Sequence, residues 1–290
     1  MKHFSLKKSL SCAKVEYTKW ICDARMLILA VLLIFIYSFA IEPLLGNAVL
    51  MGESLNILEP FIAVANSGTI LLILPLAFMT LISDFPKIDT NTVFYISRVG
   101  RLNWLMGQIL KLLFMAASFL AVVFLGSVLP MLGRGFWGSG WSKVTTGFVA
   151  VFPEKSSNFG VNLLPPNLYN QMSVFDAAVK SYLLVFAYLV VIGLIMLSFS
   201  LVKQKTIGFV LTGGIISLGT AFCSVNTMLM WTMPMANAII WLHYTKYYRQ
   251  PVVSVTFSVC YLLTVIAVLL VFCLIAIKRF NYDNVTEIAS

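Results

Sequence analysis

Five charged side chains, Asp84, Lys87, Asp89, Arg98 and Arg101, are crowded into residues 84–108, DFPKIDTNTVFYISRVGRLNWLMGQ, between two apolar runs each long enough to cross a bilayer. Charges cannot stay in hydrocarbon, so these must reach solvent or a partner. The chemistry open to them is recognition, because carboxylates and guanidinium groups form charge-assisted hydrogen bonds to a partner surface. Reaction chemistry finds less support. No GxxxxGK[ST] loop is present, so the chain is expected not to hydrolyse ATP by itself. The two histidines, His3 and His243, lack the HExxH spacing of a metalloprotease. Cys12, Cys22, Cys223, Cys260 and Cys273 form no CxxC pair, so neither a disulfide framework nor a metal site is expected. The apolar runs hold no Asp or Glu near their middles, Glu42 lying close to the end of the first, which argues against an intramembrane protease and against a carrier coupled through a midplane carboxylate.

The elements that position these residues are set by composition. Of 290 residues, 60% are hydrophobic and 11% charged, and the mean hydropathy is +0.94. That is the composition of an integral membrane protein. The net charge of +9 falls in short Lys and Arg clusters beside apolar runs, a topology signal and not the footprint of a nucleic-acid binder. The expected fold class is an all-α integral membrane protein in one domain over residues 1–290. It has six transmembrane helices, an N-terminal amphipathic interfacial helix and a re-entrant hairpin before the last span.

Within residues 1–24, the apolar side chains Leu6, Leu10, Ala13, Tyr17, Trp20 and Ile21 recur at helical spacing, while Lys7, Lys8, Ser11, Lys14 and Thr18 face elsewhere. This predicts a basic helix lying in the membrane surface; a solvated helix that only obeys the charge rule is the alternative. The basic region is too long for a signal peptide and no convincing cleavage site follows, so the first apolar run is read as an uncleaved span. Spans are expected over residues 25–45, 62–83, 104–132, 181–202, 207–228 and 252–277. Pro75 should kink the second, and Lys111 should snorkel back to the near surface from the third.

Residues 133–180 are rich in Gly, Ser, Asn and Pro, too polar to span, and carry Phe136, Trp137, Trp141 and Phe159 suited to the membrane interface. Residues 228–242 are apolar but only fifteen long, with Pro234 and Asn237 interrupting them. At about 1.5 Å per residue they fall short of the ~30 Å hydrocarbon core, so residues 228–250 are expected to enter and leave on one face. This layout leaves Arg134, Lys143, Lys155, Lys180, Lys246 and Arg249 outside and the other fourteen of twenty Lys and Arg residues inside, with both termini cytoplasmic.

The order of these parts, with residues 85–113, FPKIDTNTVFYISRVGRLNWLMGQILKLL, and residues 175–209, FDAAVKSYLLVFAYLVVIGLIMLSFSLVKQKTIGF, resembles the permease subunits of type-2 ATP-binding-cassette exporters of Gram-positive bacteria. The likeness covers nearly the whole chain and rests on apolar patterning with a few polar anchors. It implies that residues 84–103 form a coupling loop with a short helix seated on a separate ATPase subunit. Asp84, Asp89, Arg98 and Arg101 would then contact the ATPase, and Lys7, Lys8 and Lys14 would form a secondary patch on the ATPase or the membrane surface. The alternative is that the two arginines only set topology.

The same resemblance implies a second permease, identical or a sister chain, with the substrate path between the two. Trp231, Met233, Pro234, Asn237, Trp241 and His243 would sit at the outer mouth of that path, offering adaptable apolar contact to an amphipathic cargo; otherwise they anchor the hairpin at the interface. ATP and Mg would belong to the ATPase, with no cofactor on this chain and no nucleic-acid partner. Membrane lipid and the bacterial plasma membrane complete the expected setting. The implied function is export of a peptide antibiotic, drug or lipid-linked compound, and with it antibiotic resistance; the alternative is a non-transporting sensor or scaffold subunit. The long segment 133–180 departs from compact members of the family.

Overall fold

A computed structural model describes residues 4–88, 90–246 and 251–280. It is 78% helical, and among the described residues it has no strand. The backbone chemistry of hydrocarbon explains this, because a helix pairs its N–H and C=O groups within its own segment. Helix α1 covers Leu6–Ile21. Helices α2 (Leu27–Ile36) and α3 (Glu42–Met51) join through a π turn, Tyr37–Ile41, into one run from Ala24 to Met51. Then come α4 (Glu59–Asn66), α5 (Gly68–Leu81), α6 (Thr90–Val99) and α7 (Arg101–Val128). The 133–180 segment holds α8 (Lys143–Val151), α9 (Phe159–Asn162) and α10 (Pro166–Tyr169). The chain continues through α11 (Val174–Leu201), α12 (Lys205–Val225), α13 (Pro234–Ala238) and α14 (Val255–Arg279).

Among the described residues, five helical runs are long and apolar enough to cross a membrane: Ala24–Met51, Arg101–Met131, Val174–Leu201, Lys205–Val225 and Val255–Lys278. The bent pair α4 and α5 makes a sixth if it counts as one span. These helices differ in what surrounds them. In its most apolar stretch α11 is 78% buried by protein, whereas α14 is 17% buried. Helix α11 is therefore the central strut, and α14 displays Leu263, Val268, Val271, Phe272 and Ile275 outward. A face of that size and apolarity is matched by lipid, not by water. The architecture is that of a multi-pass membrane protein.

Local breaks fall where the side chains allow them. The first run was expected to end near residue 45, yet it continues to Met51. Proline lacks an N–H and crowds the carbonyl four residues back, and the π turn immediately before Pro43 widens the helix to accept it. The second span was expected to kink at Pro75, but α5 runs through Pro75 and the change of direction, 78°, lies at the α4–α5 junction. Ser67 there is extended (ψ 122°), and the neighbouring Asn66 side chain satisfies groups on other elements. Helix α11 starts at Val174, earlier than the expected 181, because Ser173 caps it by accepting from the Asp176 N–H at 3.2 Å.

Candidate functional site

The charged residues singled out in the sequence gather at the end of the bundle that carries α1 and α6. Asp84 follows the last turn of α5 and accepts hydrogen bonds from Arg25, at the start of the first apolar run, and from Lys205 Nζ, the first residue of α12, at 3.2 Å. One carboxylate thus ties together three segments far apart in sequence. Burial resists its ionisation, but the hydrogen bonds and charges of Arg25 and Lys205 outweigh burial and hold the Asp84 carboxyl below the usual carboxylate range. Asp84 was expected to contact an ATPase; its contacts here are internal, and its side chain remains 42% exposed. Asp89 lies outside the described residues.

A second ion pair lies deeper. Lys111, ten residues into α7, has a side chain only 6% exposed and donates to Glu16 of α1 at 3.4 Å, while Lys19 reaches the other Glu16 oxygen at 3.1 Å. The ammonium of Lys111 also sits 5.5 Å from the centre of the Phe85 ring. Lys111 therefore does not snorkel to water as expected; α1 brings a carboxylate to it. Gly107 makes this approach possible, since a Cβ there would meet the Cys12 side chain at 3.0 Å. The Cys12 thiol, buried in that seam and close to Glu16, is pushed up to about 11.

The face of α1 that meets α7 is Ser9, Cys12, Ala13, Glu16 and Trp20, and Trp20 Nε1 donates to the Leu81 carbonyl at 3.2 Å. This corrects the expected apolar face. Ala13 and Trp20 point to protein, and Leu6, Leu10 and Ile21 are left exposed at 64%, 49% and 46%. Lys7, Lys8 and Lys14 are exposed as well.

Helix α6 is a separate ten-residue element, broken from α7 by Gly100 at φ +94° and ψ 147°, a backbone geometry that a side chain would strain. Arg98 and Arg101 therefore do not share one helix face, as their spacing would place them on a continuous helix. Arg98 is exposed on the last turn of α6, and Arg101, first in α7, donates to the Lys278 carbonyl of α14 at 3.3 Å. The two helices at this end are joined through buried Asn103. Its Oδ1 accepts from Ser5 N–H ahead of α1 at 2.8 Å, and its Nδ2 donates to the Val99 carbonyl of α6 at 2.9 Å.

Around the α4–α5 junction the opposite end is tied by amides, a hydroxyl and a ring. Asn66, wholly buried, donates to Ile62 O and Ser181 Oγ and accepts from Ile240 N–H, all within 2.7–3.0 Å. The expected gate residues come together here, but inside the protein. Pro234, Asn237 and His243 are buried, Trp231 is 8% exposed, and Met233 and Trp241 are half-buried. Asn237 and His243 both engage Ser258 of α14, and Trp241 Nε1 donates to Asn66 O at 2.8 Å. Beside the α4–α5 break lies an open crevice of about 400 Å³, lined by Ser67, Leu72, Phe159, Asn162, Leu163 and Thr220.

Also at this end, Glu59 is fully buried at the first turn of α4. It accepts from Ser142 N–H at 2.6 Å, Ser142 Oγ at 2.9 Å and Thr145 Oγ1 at 3.1 Å, at the N-terminus of α8. An anion there is favoured by the unpaired N–H groups of that first turn. Glu53 and Lys143 pair above it at 2.8 Å.

No protein-family model, curated protein or solved structure matches the chain. The residues that sequence reasoning passed over are Glu16, Asn66, Asn103 and Ser258. Glu16 carried a signal: it is the single acidic residue among the first 22, and Lys111 is an ammonium inside an apolar helix that needs such a partner. Asn66, Asn103 and Ser258 carried none, since an isolated amide or hydroxyl looks alike whether it faces a neighbour or lipid.

Proposed function

We propose that the chain is the transmembrane permease subunit of an ATP-binding-cassette exporter, driven by a separate ATPase that docks at the end carrying α1 and α6. The observation that supports this reading most is α6 itself: a short helix set off from the bundle at Gly100, tied through Asn103 to α1, with exposed Lys7, Lys8, Lys14 and Arg98 around it. A positive, well-anchored ledge outside the apolar layer suits a partner protein with acidic groups. In this reading the bent pair α4 and α5 is one span, so that six spans place both termini in the cytoplasm of a bacterial cell. The exposed Leu6, Leu10 and Ile21 rest α1 on lipid, and residues 228–250 enter and leave on the outer face. The uncharged crevice beside Ser67 fits an amphipathic cargo better than an ion. A second permease, identical or a sister chain, would cover part of the exposed apolar surface.

The test is whether a neighbouring reading frame encodes an ATPase with a GxxxxGK[ST] loop, followed by reconstitution of the chain with that ATPase. Vanadate-sensitive hydrolysis is expected from the complex, accompanied by cargo movement, and not from the chain alone. Robust hydrolysis by the isolated chain contradicts the reading. The closed hairpin, with Asn237 and His243 fully buried, favours one competing reading, a sensor or scaffold on the same framework; a complex that hydrolyses ATP in response to a compound yet never moves it would establish that reading. Topology is tested separately. Single cysteines at Thr232 and Lys246, in a chain lacking the native cysteines, should both react with an impermeant thiol reagent added outside. Labelling of one from each side would make the hairpin a span.

A further inference from the structure

The hydrogen bonds around His243 do not close for a neutral ring. Asn237 uses both amide protons, on the carbonyls of Trp231 at 3.0 Å and Met233 at 2.9 Å, so its Oδ1 must accept. The group that reaches it is the Ser258 hydroxyl, at 2.8 Å. A hydroxyl has one proton, and once that is given to Asn237, Ser258 Oγ can only accept. His243 Nε2 lies 2.8 Å from the same oxygen and must then donate. On the other side of the ring, Nδ1 lies 2.9 Å from the Ile239 carbonyl and 3.2 Å from that of Ile240, both acceptors only, so it must donate too. Two donating nitrogens make an imidazolium. With a neutral ring, either His243 Nε2 or Asn237 Oδ1 is left facing another acceptor at hydrogen-bond distance, in a site with no access to water.

We propose that His243 is a proton-binding site that latches residues 228–246 to α14: uptake of a proton from solvent completes the chain Ile239–His243–Ser258–Asn237, and its loss breaks one link. This goes beyond the exporter reading and holds whether or not the chain transports.

The surroundings are free of competing charge. The charged groups on elements packed around the imidazole are Glu59 of α4, Asp176 and Lys180 of α11, Lys278 and Arg279 at the opposite end of α14 from Ser258, and Lys246 beyond it; Glu59 is held by Ser142 and Thr145, and Asp176 by Ser173. The tyrosines are Tyr169 of α10, Tyr182 and Tyr188 of α11, Tyr244 and Tyr261. What acts on the ring is burial, which resists the charge, and the two carbonyls, which favour it; burial prevails, so the proton is taken up on the acidic side of the ordinary imidazole range. The Trp231 ring, 4.9 Å away at 68°, adds an aromatic neighbour within the ~6 Å over which a ring attracts a cation.

Because His3 and His243 are the two histidines, one substitution makes the measurement clean. The full-length chain carrying His3→Gln, labelled with 15N-histidine and held in lipid nanodiscs, is titrated by nitrogen chemical shifts. The proposal expects both ring nitrogens protonated at the acid end. It expects Ser258→Ala and, separately, Asn237→Ala to lower the midpoint by about one pH unit, so that half-protonation needs about tenfold more protons, since each removes the link that only the imidazolium completes. The protection factors of amides in residues 228–246, corrected for the intrinsic pH dependence of exchange, should rise below the midpoint, and that rise should be absent in His243→Gln. A ring that stays neutral down to pH 4, or a midpoint unmoved in both variants, overturns the proposal.

Discussion

The two ends of the helical bundle are tied by opposite means. Where α1 and α6 lie, segments are held by charge: Asp84 gathers Arg25 and Lys205, and Glu16 meets Lys111 and Lys19. At the far end Asn66, Asn237, His243 and Ser258 tie α4, the 228–246 segment, α11 and α14 through amides, a hydroxyl and a ring. The exposed pairs of Asp84 are individually weak and can be rearranged when a partner arrives, whereas the buried Glu16–Lys111 pair is costly to break. Buried uncharged networks are rigid when fully satisfied and expensive when one member is missing. The difference teaches where each end can move: the exposed Asp84 pairs can exchange partners, while the buried networks hold a shape.

Breaking the deepest charged pair should have the largest effect. Lys111→Met leaves Glu16, whose side chain is 12% exposed, with Lys19 alone, and should destabilise the protein by about 3 kcal/mol in denaturant unfolding in detergent. The double variant Lys111→Met, Glu16→Gln should recover more than half of that, because no buried charge is then stranded. If the single variant is as stable as wild type, α1 is not fastened to α7 by this pair.

Next is the uncharged end. Asn66→Ala deprives Ile240 N–H and Ser181 of a buried partner and should reduce stability by about 2 kcal/mol, with no dependence on salt. A marked salt dependence would erase the contrast between the ends. The smallest effect belongs to Asp84→Asn, because the carboxylate is 42% exposed: less than about 1 kcal/mol, shrinking further as salt is raised. Its pH dependence has a fixed sign. The folded-state value is depressed, so the contribution of Asp84 is complete above the unfolded value near pH ~4 and is lost as pH falls through the folded one. In Asp84→Asn that part of the acid limb should be missing from the stability profile.

How much of this could be read from the chain follows the same division. Apolar run length located the helices, since the length needed to cross hydrocarbon is fixed. The 228–242 stretch, too short to span, is three short helical turns, Met228–Thr232, Pro234–Ala238 and Ile240–His243. Charge marked Asp84, which gathers Arg25 and Lys205 at the end of the bundle that carries α1 and α6. What pattern could not supply was pairing. Periodicity gave α1 one apolar face, yet Ala13 and Trp20 pack on protein while Leu6 and Leu10 do not, because in an apolar medium a helix side facing lipid and a side facing a neighbour are written in the same residues. The bend at Ser67 escaped notice for a related reason: proline advertises a break, whereas an extended serine supported by a neighbouring amide does not. The three-residue spacing of Arg98 and Arg101 suggested one face until Gly100 divided the helix between them.

The central claim, that the α1 and α6 end is where an ATPase docks, is tested most directly by Arg98→Gln, Arg101→Gln in one chain co-expressed with the partner ATPase that the reading requires. Lys7, Lys8, Lys14 and Lys87 remain, so insertion should be normal. Each lost charge-assisted hydrogen bond is worth roughly 1.5–3 kcal/mol, so the ATPase recovered with the tagged chain should fall at least tenfold. Recovery of the ATPase at the wild-type level, from a chain that inserts normally, would contradict the claim and leave these arginines as topology markers.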